Sequence, residues 1–581
     1  MSEQNLEHLR HTAAHLLAAS VLELYPNVKL TLGPAIEDGF YYDMDFGDVK
    51  LSEEELPKIE KKMEELVKHW SEFTHREVSV DEARQIFVGN EYKLELIDGI
   101  VERGEAITLY TCGNFTDLCR GGHCEEPKKE LRNFKLLSVA GAYWRGSEEN
   151  AMLTRVYGTA FPTKEELTHY IWQQEEAKKR DHKKLGRELG LFTLSPLIGS
   201  GLPLMQPRGM IVRKVIEDYL WELHKEKGYD RVWTPHIAKE DLYVTSGHAV
   251  KFGDELFRVQ GKEEKFFLKP MNCPHHMQIF ADNQFSYRDL PVRYFEPATV
   301  YRDEKSGQLG GLTRVRSITQ DDGHLFCRVS QIGDEVATIV SVIKQFYTTM
   351  GLMRDYWVRL SVRGEDRTQY LGSDEVWEKA EGALENAAKS MELNYRRVEG
   401  EAAFYGPKLD FMFKDAIGRE WQLATIQCDF NLPERFDLSY VNESGERERP
   451  VVIHRAISGS LERFMGIIIE HFAGAFPLWL APVQVAILPV SSDNHTAGAE
   501  EMAQKLRGYG LRVSVDSADE SVGKKIRNAA KAKIPYVLVV GDKELGGEDL
   551  MVRVRGQEEQ VSMSMDVFVS RLQQEISSRS L

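Results

Sequence analysis

Residues 301–326, YRDEKSGQLGGLTRVRSITQDDGHLF, constrain the fold more than any other stretch of this chain. Two segments flank a glycine-rich turn, with Arg302, Arg314 and Arg316 on either side of it, which predicts an antiparallel hairpin. Alternate residues of a strand share a face, so Arg302 and Glu304 are expected to point together into a cleft. An arginine in a cleft binds phosphate oxygens with two parallel hydrogen bonds. An ordinary charged hairpin would carry the same residues, and this stretch alone does not separate the two interpretations.

A second stretch, VVIHRAISGSLERFMGIIIEHF at residues 451–472, predicts a strand that runs to Gly459 and a helix with Arg463 in its first turns. Glycine lets a ligand approach the backbone, and the positive start of a helix favours phosphate. Alone, this signal is also weak. Before it, from Leu191 to Pro235, the pattern predicts a Gly/Pro-rich loop, a long helix and a strand.

The chain has 581 residues, enough for about three or four domains. Its net charge of −17 argues against attraction of the whole chain to nucleic acid or to a membrane, although local basic patches stay possible. Six irregularly spaced cysteines indicate reduced thiols rather than a disulfide framework. The N-terminus lacks the features of a signal peptide. Charged residues and prolines interrupt the apolar stretch from Gly466, so it is interpreted as core rather than as a membrane span.

The pattern of the chain divides it into four predicted segments, which are residues 1–162, 163–190, 191–481 and 482–581. The first mixes helical and strand-like patterns. The second begins with a capping box, Thr163 at the N-cap and Glu166 at N3, and continues as a charged linker helix. The third is a large α+β block, and the fourth alternates strand and helix as a small α/β domain with a mostly parallel sheet.

Two pairs of side chains in the first segment share one spacing. RHTAAHLLAASVLELY places His11 and His15 four residues apart, on one face of a helix. FTDLCRGGHCEE gives Cys119 and His123 the same separation. A single HxxxH is more often a pair of core or surface histidines, but two such pairs favour a site. Their donors could chelate zinc, or help to position and deprotonate a water molecule.

Together, these fragments resemble the signature motifs of class II aminoacyl-tRNA synthetases, and the whole chain resembles one family of that class, the bacterial threonyl-tRNA synthetases. The strings that carry the resemblance are TSGH (245–248), NCPHHMQIF (272–280), RDEKSGQLGGLTRVRSITQDDGHLF (302–326), AFYGPKLDF (403–411), WQLATIQCDF (421–430) and HRAISGSLERF (454–464). The resemblance implies ATP-dependent activation of threonine, its transfer to tRNA(Thr), and hydrolytic editing of Ser-tRNA(Thr). It implies a multidomain α+β and α/β protein with an N-terminal editing domain, a linker helix, a catalytic domain built on a class II antiparallel sheet, and a C-terminal α/β anticodon-binding domain.

By this resemblance, a catalytic zinc is held by Cys273, His324 and His454. Three protein ligands and one open position are typical of catalytic zinc. An apolar pocket separates threonine poorly from the nearly isosteric valine. A metal ion that binds both the amine and the hydroxyl of threonine can bind only the amine of valine. The ion would therefore act as a template for threonine. The adjacent His275 and His276 are not expected to be ligands, and His275 is expected at the surface or beside the ligands.

The resemblance also assigns roles to single residues. For the amino-acid site and the tRNA end, it implies Asp322 as acceptor for the threonine hydroxyl, Gln320, Tyr405 and Gln422 as lining, and His248 near the terminal ribose. For ATP with Mg²⁺, it implies Arg302 at the α-phosphate and the carboxylate, Glu304 near adenine, Arg314 at the γ-phosphate, Arg463 stacked on adenine, and Gln427. Ile318 replaces an aromatic residue of the family, and we expect weaker ATP binding at most.

Serine lacks only one methyl group of threonine, which supports about 1–3 kcal/mol of discrimination, so a separate editing site is expected. By family placement, its residues are His11, His15, Lys93, Tyr110, Asp117, Cys119 and His123. No metal is expected in it, and Cys112 and Cys124 are expected to take no part. Longer family members carry a small ubiquitin-like domain before the editing domain, which this chain is expected to lack.

The last segment holds five basic residues that are either a solvated helix face or, given the resemblance, an RNA-binding patch: Lys524, Lys525, Arg527, Lys531 and Lys533. The implied partners are tRNA(Thr), ATP, L-threonine and a second copy of the chain, because the long helix before Pro235 forms the dimer interface of the class. The expected location is the cytoplasm, without a membrane contact.

Three alternative functions share parts of this pattern. A catalytically silent paralogue would not need Arg302, Arg314 and Arg463 together with three zinc ligands, and neither would a stand-alone tRNA deacylase. A seryl or prolyl enzyme of the same class would not need the zinc set together with an HxxxH/CxxxH segment. The combination therefore favours the threonyl family.

Overall fold

The computed structural model describes residues 3–581. The backbone divides into two compact units, residues 1–175 and residues 176–581. Each unit has a hydrophobic core of its own. Within the described chain, all six cysteines are free thiols, as predicted.

The first unit is built from short helices and two antiparallel sheets. Its helices are α1 (Glu3–Leu24), α2 (Leu56–Leu66), α3 (Val80–Ile86), α4 (Glu91–Glu102), α5 (Pro127–Glu130) and the first part of α6 (Lys164–Arg180). Its strands are β1 (Lys29–Leu30), β2 (Ala35–Ile36), β3 (Gly39–Asp45), β4 (Thr74–Val78), β5 (Ile107–Cys112), β6 (Phe115–Leu118), β7 (Asn133–Tyr143) and β8 (Met152–Phe161). One sheet has the order β1-β3-β8-β7 with β2 on β3, and the other has the order β4-β5-β6.

Helix α1 lies at the centre of this unit. From Leu9 to Val21 nearly every residue is buried, which is the pattern of a helix enclosed on all sides rather than of a surface helix. The helix packs on β3, β8 and α2. His11 and His15 follow each other by one turn, so the helix holds the His15 imidazole in the interior and the half-buried His11 imidazole next to it.

The predicted linker contains two helices instead of one. The capping box at its start is confirmed, since Glu166 N donates to Thr163 Oγ1 at 3.2 Å and Thr163 N donates to Glu166 Oε2 at 3.1 Å. Helix α6 ends at Arg180, and α7 (His182–Leu189) begins after Asp181. Asp181 leaves the helical conformation, and its carboxylate accepts the backbone N–H groups of the next helix.

The second unit begins with elements that surround one large sheet. Its helices before the C-terminal segment are α7, α8 (Pro207–Lys225), α9 (Glu240–Ser246), α10 (His248–Phe252), α11 (Cys273–Ala281), α12 (Ile332–Thr349), α13 (Asp374–Ser390), α14 (Asn431–Arg435) and α15 (Leu461–His471). Its strands are β9 (Phe192–Thr193), β10 (Leu204–Met205), β11 (Asp230–Arg231), β12 (Ile237–Lys239), β13 (Arg258–Gln260), β14 (Lys265–Leu268), β15 (Val292–Tyr301), β16 (Ser317–Cys327), β17 (Tyr356–Val362), β18 (Tyr395–Glu399), β19 (Lys408–Lys414), β20 (Glu420–Asp429), β21 (Tyr440–Val441), β22 (Arg447–Glu448) and β23 (Val451–Ser460).

The large sheet has eight strands in the order β11-β15-β16-β23-β20-β19-β17-β18. All neighbouring pairs are antiparallel except the two outermost, β11 with β15 and β17 with β18. Helices α12, α13 and α15 pack on it, which confirms the predicted antiparallel sheet flanked by helices. The predicted hairpin is β15 and β16, and its register places His324 opposite Tyr294 on one side and opposite His454 of β23 on the other.

Strand β23 contains a bulge just before it enters α15. The pairing with β16 shifts between Gln320 and Asp322, where the Asp321 carboxylate accepts the N–H groups of Ile457 at 2.9 Å and Ser458 at 3.1 Å. Gly459 has φ of +71°, and a Cβ atom there would lie 2.8 Å from the carbonyl oxygen of Leu423. The bulge therefore requires glycine for backbone reasons.

The C-terminal part of the second unit has its own sheet, with the order β25-β24-β26-β27-β28. The elements are β24 (Val485–Pro489), α16 (Ser492–Gly508), β25 (Val513–Val515), α17 (Val522–Lys531), β26 (Tyr536–Val540), α18 (Asp542–Leu545), β27 (Leu550–Val554), β28 (Gln560–Met563) and α19 (Met565–Ser577). The first three strands are parallel, as predicted, but β27 and β28 add antiparallel pairs, so the sheet is mixed rather than mostly parallel.

The apolar stretch from Gly466 is interior structure, as predicted. It contains the end of α15, a turn and the fully buried strand β24. Of the described helices, none is long and apolar enough to cross a membrane.

Candidate active sites

Three buried ligand atoms meet on the large sheet. Cys273 is the first residue of α11, His324 lies in the middle of β16, and His454 lies beside it on β23. All three side chains are buried, and their ligand atoms lie within 4.8 Å of one another. The sequence prediction that these distant residues form one set agrees with this geometry.

The outer ring nitrogens of both histidines have partners. His454 Nε2 lies 2.8 Å from Asp429 Oδ2, and His324 Nδ1 lies 2.7 Å from His276 Nδ1. On its other side, His276 Nε2 lies 3.0 Å from Glu296 Oε2. The buried Nδ1 of His454 has no hydrogen-bond partner among the described residues. One thiol and two oriented imidazoles with spare lone pairs are a donor set that fits zinc.

Burial sets the protonation of these groups. Removal from water, followed by the charge of His454, lowers the pKa of His324 well below its usual value. Burial raises the pKa of the Cys273 thiol well above its usual value, and the charge of Asp322 acts in the same direction. The His324 imidazole is therefore neutral and ready to bind a cation, whereas a bound cation has to displace the proton of the Cys273 thiol.

Two other predicted residues of the amino-acid site lie beside this set. Asp322 is buried on β16, and Asn272 donates to its Oδ2 at 3.0 Å. The Tyr405 ring is tilted against that of His454, with 4.9 Å between ring centroids, and its hydroxyl donates to Gln427 Oε1 at 2.5 Å. An acceptor and a donor thus stand next to the ligand atoms.

Gln422 occupies a different network on the same strand as Gln427. Its Oε1 accepts from Arg359 at 2.8 Å, and its Nε2 donates to Asp410 Oδ1 at 2.8 Å. The buried Asp410 carboxylate also accepts from Thr425, so it ties this end of β20 to β19. None of the hydrogen bonds found in the described residues joins Gln422 to the Cys273 set.

His248 lies deep in the site. Its side chain is fully buried, its Nδ1 lies 2.7 Å from Ser246 Oγ, and its Nε2 lies 3.4 Å from Cys273 Sγ. Burial lowers its pKa to about 3. Gln320 is on β16 two residues before Asp322, at the bulge.

The predicted arginines gather around the loop between β15 and β16. Arg302 follows β15, its guanidinium lies 4.9 Å from the ring centroid of Phe252, and its buried Nε has no partner in residues 3–581. Arg314 is paired with Glu304, with 2.7 Å between Nη2 and Oε2. Arg463, at the start of α15, donates from Nε to the carbonyl oxygen of Thr313 at 2.9 Å. Burial raises the pKa of Cys273 and of Tyr405 well above their usual values, and the nearby charge of Arg302 opposes both rises, so this cationic group belongs to the same site as the ligand set.

The first unit holds a second cluster, the HxxxH/CxxxH set. It consists of His11 and His15 on α1 with Cys119 and His123 on the segment after β6, and all four ligand atoms lie within 4.8 Å of one another. The predicted meeting of the two pairs agrees with this geometry. Burial lowers the pKa of His123 to about 2 and the pKa of His15 well below its usual value. Burial raises the pKa of Cys119 to about 11.

Lys93 and Asp117 form a buried ion pair next to this cluster. Tyr42, from β3, donates its hydroxyl to Asp117 Oδ2 at 2.5 Å, and Lys93 Nζ lies 3.4 Å from the same hydroxyl. Tyr110 stands on the other side, with its ring 5.2 Å from that of His123. Gly121 has φ of +96°, and a Cβ atom there would lie 2.6 Å from the hydroxyl of Tyr110.

A cleft of about 480 Å³ opens beside the cluster. His11, His15, Lys93, Asp117 and Cys119 line its floor, and three arginines line it as well: Arg103, Arg120 and Arg145. The guanidinium groups are exposed and paired with glutamates, Arg103 and Arg120 with Glu105 and Arg145 with Glu95. The cleft thus combines imidazoles with a rim of arginines whose charge is partly neutralised.

Several residues that position these sites were not predicted from the sequence. Asp429 lies inside the string WQLATIQCDF, two residues after Gln427, so strand alternation already placed it on the same face. Tyr42 lies in a run of aromatic residues that looks like ordinary core. His276 and Glu296 meet only because α11 packs against β15, and no local pattern signals that contact. His275 is buried rather than at the surface.

The predicted basic patch on α17 needs one correction. Lys525 is buried and donates from Nζ to the carbonyl oxygen of Pro489 at 3.0 Å. Its aliphatic stem packs in the interior and only the ammonium group is hydrogen-bonded. Lys524, Arg527, Lys531 and Lys533 are exposed.

Comparison with protein families matches three parts of the chain. Residues 257–472 match the tRNA synthetase class II core domain (G, H, P, S and T). Residues 484–575 match the anticodon binding domain. Residues 107–157 match the threonyl and alanyl tRNA synthetase second additional domain. The last match includes Tyr110, Asp117, Cys119 and His123.

Comparison with single proteins covers the whole chain. The threonine–tRNA ligase of Rubrobacter xylanophilus is 48% identical over 581 residues, which are 100% of this chain and 90% of that protein. The threonine–tRNA ligase of Thermotoga neapolitana is 49% identical over 577 residues, which are 99% of this chain and 89% of that protein. The crystal structure of the RNA binding domain of threonyl-tRNA synthetase from Cryptosporidium parvum is 35% identical, covers 68% of this chain and 98% of that chain, and superposes with a TM-score of 0.65. With its two histidine- and cysteine-lined sites and these relatives, the chain belongs to the threonyl-tRNA synthetase family of class II aminoacyl-tRNA synthetases.

Proposed function

We propose that this chain is a threonine–tRNA ligase that activates L-threonine with ATP, transfers it to tRNA(Thr) and hydrolyses mischarged Ser-tRNA(Thr). The observation that carries the proposal is the buried Cys273–His324–His454 set with Asp322 beside it. We assign editing to residues 1–162, linkage to 163–190, activation and transfer to 191–481, and anticodon binding to 482–581.

Selection of threonine rests on polar contacts that valine cannot make. A zinc ion held by Cys273, His324 and His454 would supply a Lewis acid that takes the amine and the hydroxyl of the substrate. Asp322 would accept the hydrogen bond of the threonine hydroxyl, while Asn272 holds its other oxygen. Valine has no hydroxyl, so it would leave the buried Asp322 without a hydrogen-bond donor. That loss costs more binding free energy than the loss of a methyl group does.

Activation needs positive charge where the phosphates react. Arg302 would hold the α-phosphate and the threonine carboxylate, Arg314 the γ-phosphate, and Arg463 the adenine ring opposite Ile318, with Glu304 and Gln427 completing the nucleotide contacts. Mg²⁺ would accompany ATP. The carboxylate oxygen attacks the α-phosphorus, and the bond from that phosphorus to the bridging oxygen of pyrophosphate breaks. Because the arginines stand in place before reaction, stabilising the developing charge needs little rearrangement.

Transfer moves the threonyl group to the tRNA. The terminal ribose hydroxyl attacks the carbonyl carbon, the bond from that carbon to the phosphate oxygen of AMP breaks, and the proton of the hydroxyl passes to the phosphate of the departing AMP. His248 would lie near this ribose, and Gln320, Tyr405 and Gln422 would hold the amino acid. The exposed Lys524, Arg527, Lys531 and Lys533 would contribute positive potential for RNA in the last domain.

Editing would take place in the cleft of the first unit. Water attacks the ester carbonyl of Ser-tRNA(Thr), and the ribose hydroxyl leaves. His11, which lines the cleft, would accept the proton of that water, with His15, His123, Cys119, Tyr110 and the Lys93–Asp117 pair shaping the site. The guanidinium groups of the rim suit the phosphates of a tRNA end, which would compete with the glutamates paired to them.

A homodimer would cover an apolar part of the second unit. Around β10 and the start of α8, five large apolar side chains are exposed: Leu194, Leu197, Ile198, Leu204 and Met210. Such a patch is typical of an association surface. Light scattering is expected to give twice the chain mass.

The cytoplasm is the proposed location, since tRNA and ATP are available there and free thiols persist.

The experiment that tests the function is amino-acid-dependent ATP–pyrophosphate exchange with threonine, serine, valine and proline, before and after zinc chelation. Strong exchange with threonine, some with serine and almost none with valine, lost on chelation, are expected. Exchange with none of them would favour the silent paralogue.

Cys273→Ser is the companion variant. It should lose exchange and keep hydrolysis of preformed Ser-tRNA(Thr), and equal loss of both activities would contradict a two-site enzyme.

A further inference from the structure

His182, the first residue of α7, contacts two separate parts of the second unit. Its side chain is buried, whereas the next two residues, Lys183 and Lys184, are exposed. The ring nitrogen Nδ1 lies 2.6 Å from Glu470 Oε1, and the backbone N–H of His182 donates to the same oxygen at 3.0 Å. On the opposite side of the ring, Nε2 accepts the backbone N–H of Leu312 at 3.0 Å. One imidazole therefore joins the end of α15 to the loop between β15 and β16.

The two partners fix the tautomer of this ring. A backbone N–H group can only donate, so Nε2 of His182 has to present its lone pair to Leu312. A carboxylate only accepts, so Nδ1 carries the proton and donates it to Glu470. Glu470 is held in turn by Arg419, which donates to its Oε2. Both hydrogen bonds of the ring therefore exist only in one orientation and one protonation state.

The loop that His182 holds carries the arginines proposed for ATP. Leu312 is fully buried, whereas residues 305–308 of the same loop are exposed, so the loop is anchored at Leu312. Thr313 comes next, and its carbonyl oxygen accepts from Arg463 Nε at 2.9 Å. Arg314 follows Thr313 directly. The position of Leu312 therefore sets the position of the carbonyl group that holds Arg463.

Two glycines let α7, the loop and α15 meet closely. Gly311 has φ of +60°, and a Cβ atom there would lie 2.3 Å from His182 Nε2. Gly466 lies on α15, and a Cβ atom there would lie 3.3 Å from Leu312 Cβ and 3.6 Å from His182 Cδ2. A side chain at Gly311 would displace the ring from its hydrogen bond, so this contact requires glycine.

We infer that His182 is a positioning residue of the ATP site, so that the linker segment, residues 163–190, supplies part of that site. The contacts return to the helix from which they start: the end of α15 holds the ring, the ring holds the loop, and the loop holds Arg463 in the first turn of α15. The role needs no contact with the nucleotide, because it consists in placing Arg463 and the backbone before Arg314. It rests on the proposed function, in which these arginines bind ATP.

Two substitutions of His182 separate its two side-chain bonds. The amide of asparagine reaches the position of Nδ1, so His182→Asn keeps a donor for Glu470 and leaves the buried N–H of Leu312 without an acceptor. The longer glutamine reaches the position of Nε2, so His182→Gln keeps an acceptor for Leu312 while Glu470 retains the backbone N–H of residue 182. A positioning role therefore predicts that only the asparagine variant is impaired, whereas a purely structural role predicts that both are.

ATP–pyrophosphate exchange with the full-length protein measures this difference. In His182→Asn the KM for ATP should rise about tenfold, the scale of one unsatisfied buried N–H group. The KM for threonine and the hydrolysis of Ser-tRNA(Thr) should stay near their wild-type values, as should every constant of His182→Gln and of the control Lys184→Ala.

Three outcomes of the exchange experiment would overturn the inference. They are an unchanged KM for ATP in His182→Asn, an equal rise in the asparagine and glutamine variants, and a fall in kcat alone. A wild-type protein without any exchange activity would refute the proposed function and the positioning role with it, so the two failures are distinguishable.

Deuterium exchange of the Leu312 amide, measured by mass spectrometry without ligands, tests the contact itself. The amide should exchange slowly in the wild type and in His182→Gln, because it is hydrogen-bonded in the interior. In His182→Asn it should exchange about tenfold faster, by the same lost bond. Fast exchange in the wild type would contradict the inference.

Gly311→Ala tests the same contact from the loop, should the His182 variants fail to fold. The added Cβ atom would displace the ring, so the KM for ATP should rise as it does in His182→Asn. Gly307→Ala is the matched control in the same loop, since a Cβ atom there meets nothing within 4 Å. Equal KM values for ATP in the two glycine variants would overturn the inference.

Discussion

Asp429 shows how a residue outside the ligand set controls it. One carboxylate oxygen lies 2.8 Å from His454 Nε2, and the other accepts the N–H groups of Asn431 and Leu432 at the start of α14. Asp429→Asn keeps an oxygen for those N–H groups and removes the charge that holds the imidazole. We expect the affinity for zinc to fall by about 10–100-fold with little change in stability.

Competition with a chromophoric chelator measures the Asp429→Asn affinity, and thermal unfolding of the stripped protein serves as the control. An unchanged affinity would contradict the positioning role. A loss of stability equal to that of a core variant would mean that Asp429 matters only for folding.

The buried Lys93–Asp117 pair gives a second prediction at this scale. Both side chains are about 2% exposed, so Lys93→Met leaves an uncompensated carboxylate in the interior. Loss of one partner of a buried pair costs about 3–5 kcal/mol. Adding Asp117→Asn removes the charge and keeps a partner for Tyr42, so the double variant should recover most of that loss while deacylation stays impaired.

Urea unfolding followed by a signal from the first unit measures these two Lys93 variants. A single variant as stable as the wild type would show that water reaches the pair. A double variant that hydrolyses Ser-tRNA(Thr) at the full rate would show that Lys93 and Asp117 take no part in editing.

The residues that could be predicted from sequence were those with an unusual type or spacing. Cys273, His324 and His454 required the family resemblance, because they come from three distant elements and no local spacing connects them. The HxxxH and CxxxH pairs were visible in the sequence alone. Tyr42 and Glu296 were not, because their roles depend on which neighbour the fold brings to them.

Among the elements, the bulge in β23 sets the direction of α15. Gly459 combines φ of +71° with a close approach to the carbonyl oxygen of Leu423. Gly459→Ala should destabilise the protein by about 1–3 kcal/mol, because a side chain is strained there and must displace backbone. Since Arg463 lies in the first turn of α15, the KM for ATP should rise as well.

Thermal unfolding and ATP–pyrophosphate exchange measure the two effects of Gly459→Ala. Gly333→Ala is the matched control. Gly333 lies in helix α12, and a Cβ atom there meets nothing within 4 Å. It should be neutral or slightly stabilising. Equal behaviour of the two variants would mean that the bulge tolerates a side chain.

Local pattern predicted the type of the elements better than their pairing. The strand-to-helix passage at residues 451–472 and the hairpin of β15 and β16 are confirmed, because alternation and glycine position act locally. The antiparallel strands β27 and β28 and the break at Asp181 were missed. Lys525 was assigned to the surface because it is charged, whereas its spacing of four from the buried Ala529 puts both on the inner face of α17.

At the scale of the whole molecule, buried neutral histidines make stability depend on pH. Burial, with the charge of Arg455, lowers the pKa of His224 well below its usual value. The unfolded chain binds that proton near pH 6.5 whereas the folded chain does not, so acid favours unfolding. The stability is fully present above about pH 6.5 and falls below it, by up to about 1.4 kcal/mol per pH unit for each such histidine.

Thermal unfolding of the stripped protein between about pH 4.5 and 8 measures this pH dependence. The transition temperature should drop below pH 6.5, and the drop should be shallower in His224→Asn, which can still donate to the carbonyl oxygen of Leu220 as His224 Nδ1 does. A slope that does not change in the variant would show that His224 does not contribute.

The spread of the ligands along the chain also matters while the protein is being made. Synthesis runs from the N-terminus, so His11, His15, Cys119 and His123 leave the ribosome before any strand of the large sheet exists. The other set is complete only when His454 emerges, after roughly four-fifths of the 581 residues. Until then, Cys273 and His324 offer a two-point site that any thiophilic ion can occupy. The proposed Cys273 site can therefore close around an ion only after most of the chain has been made.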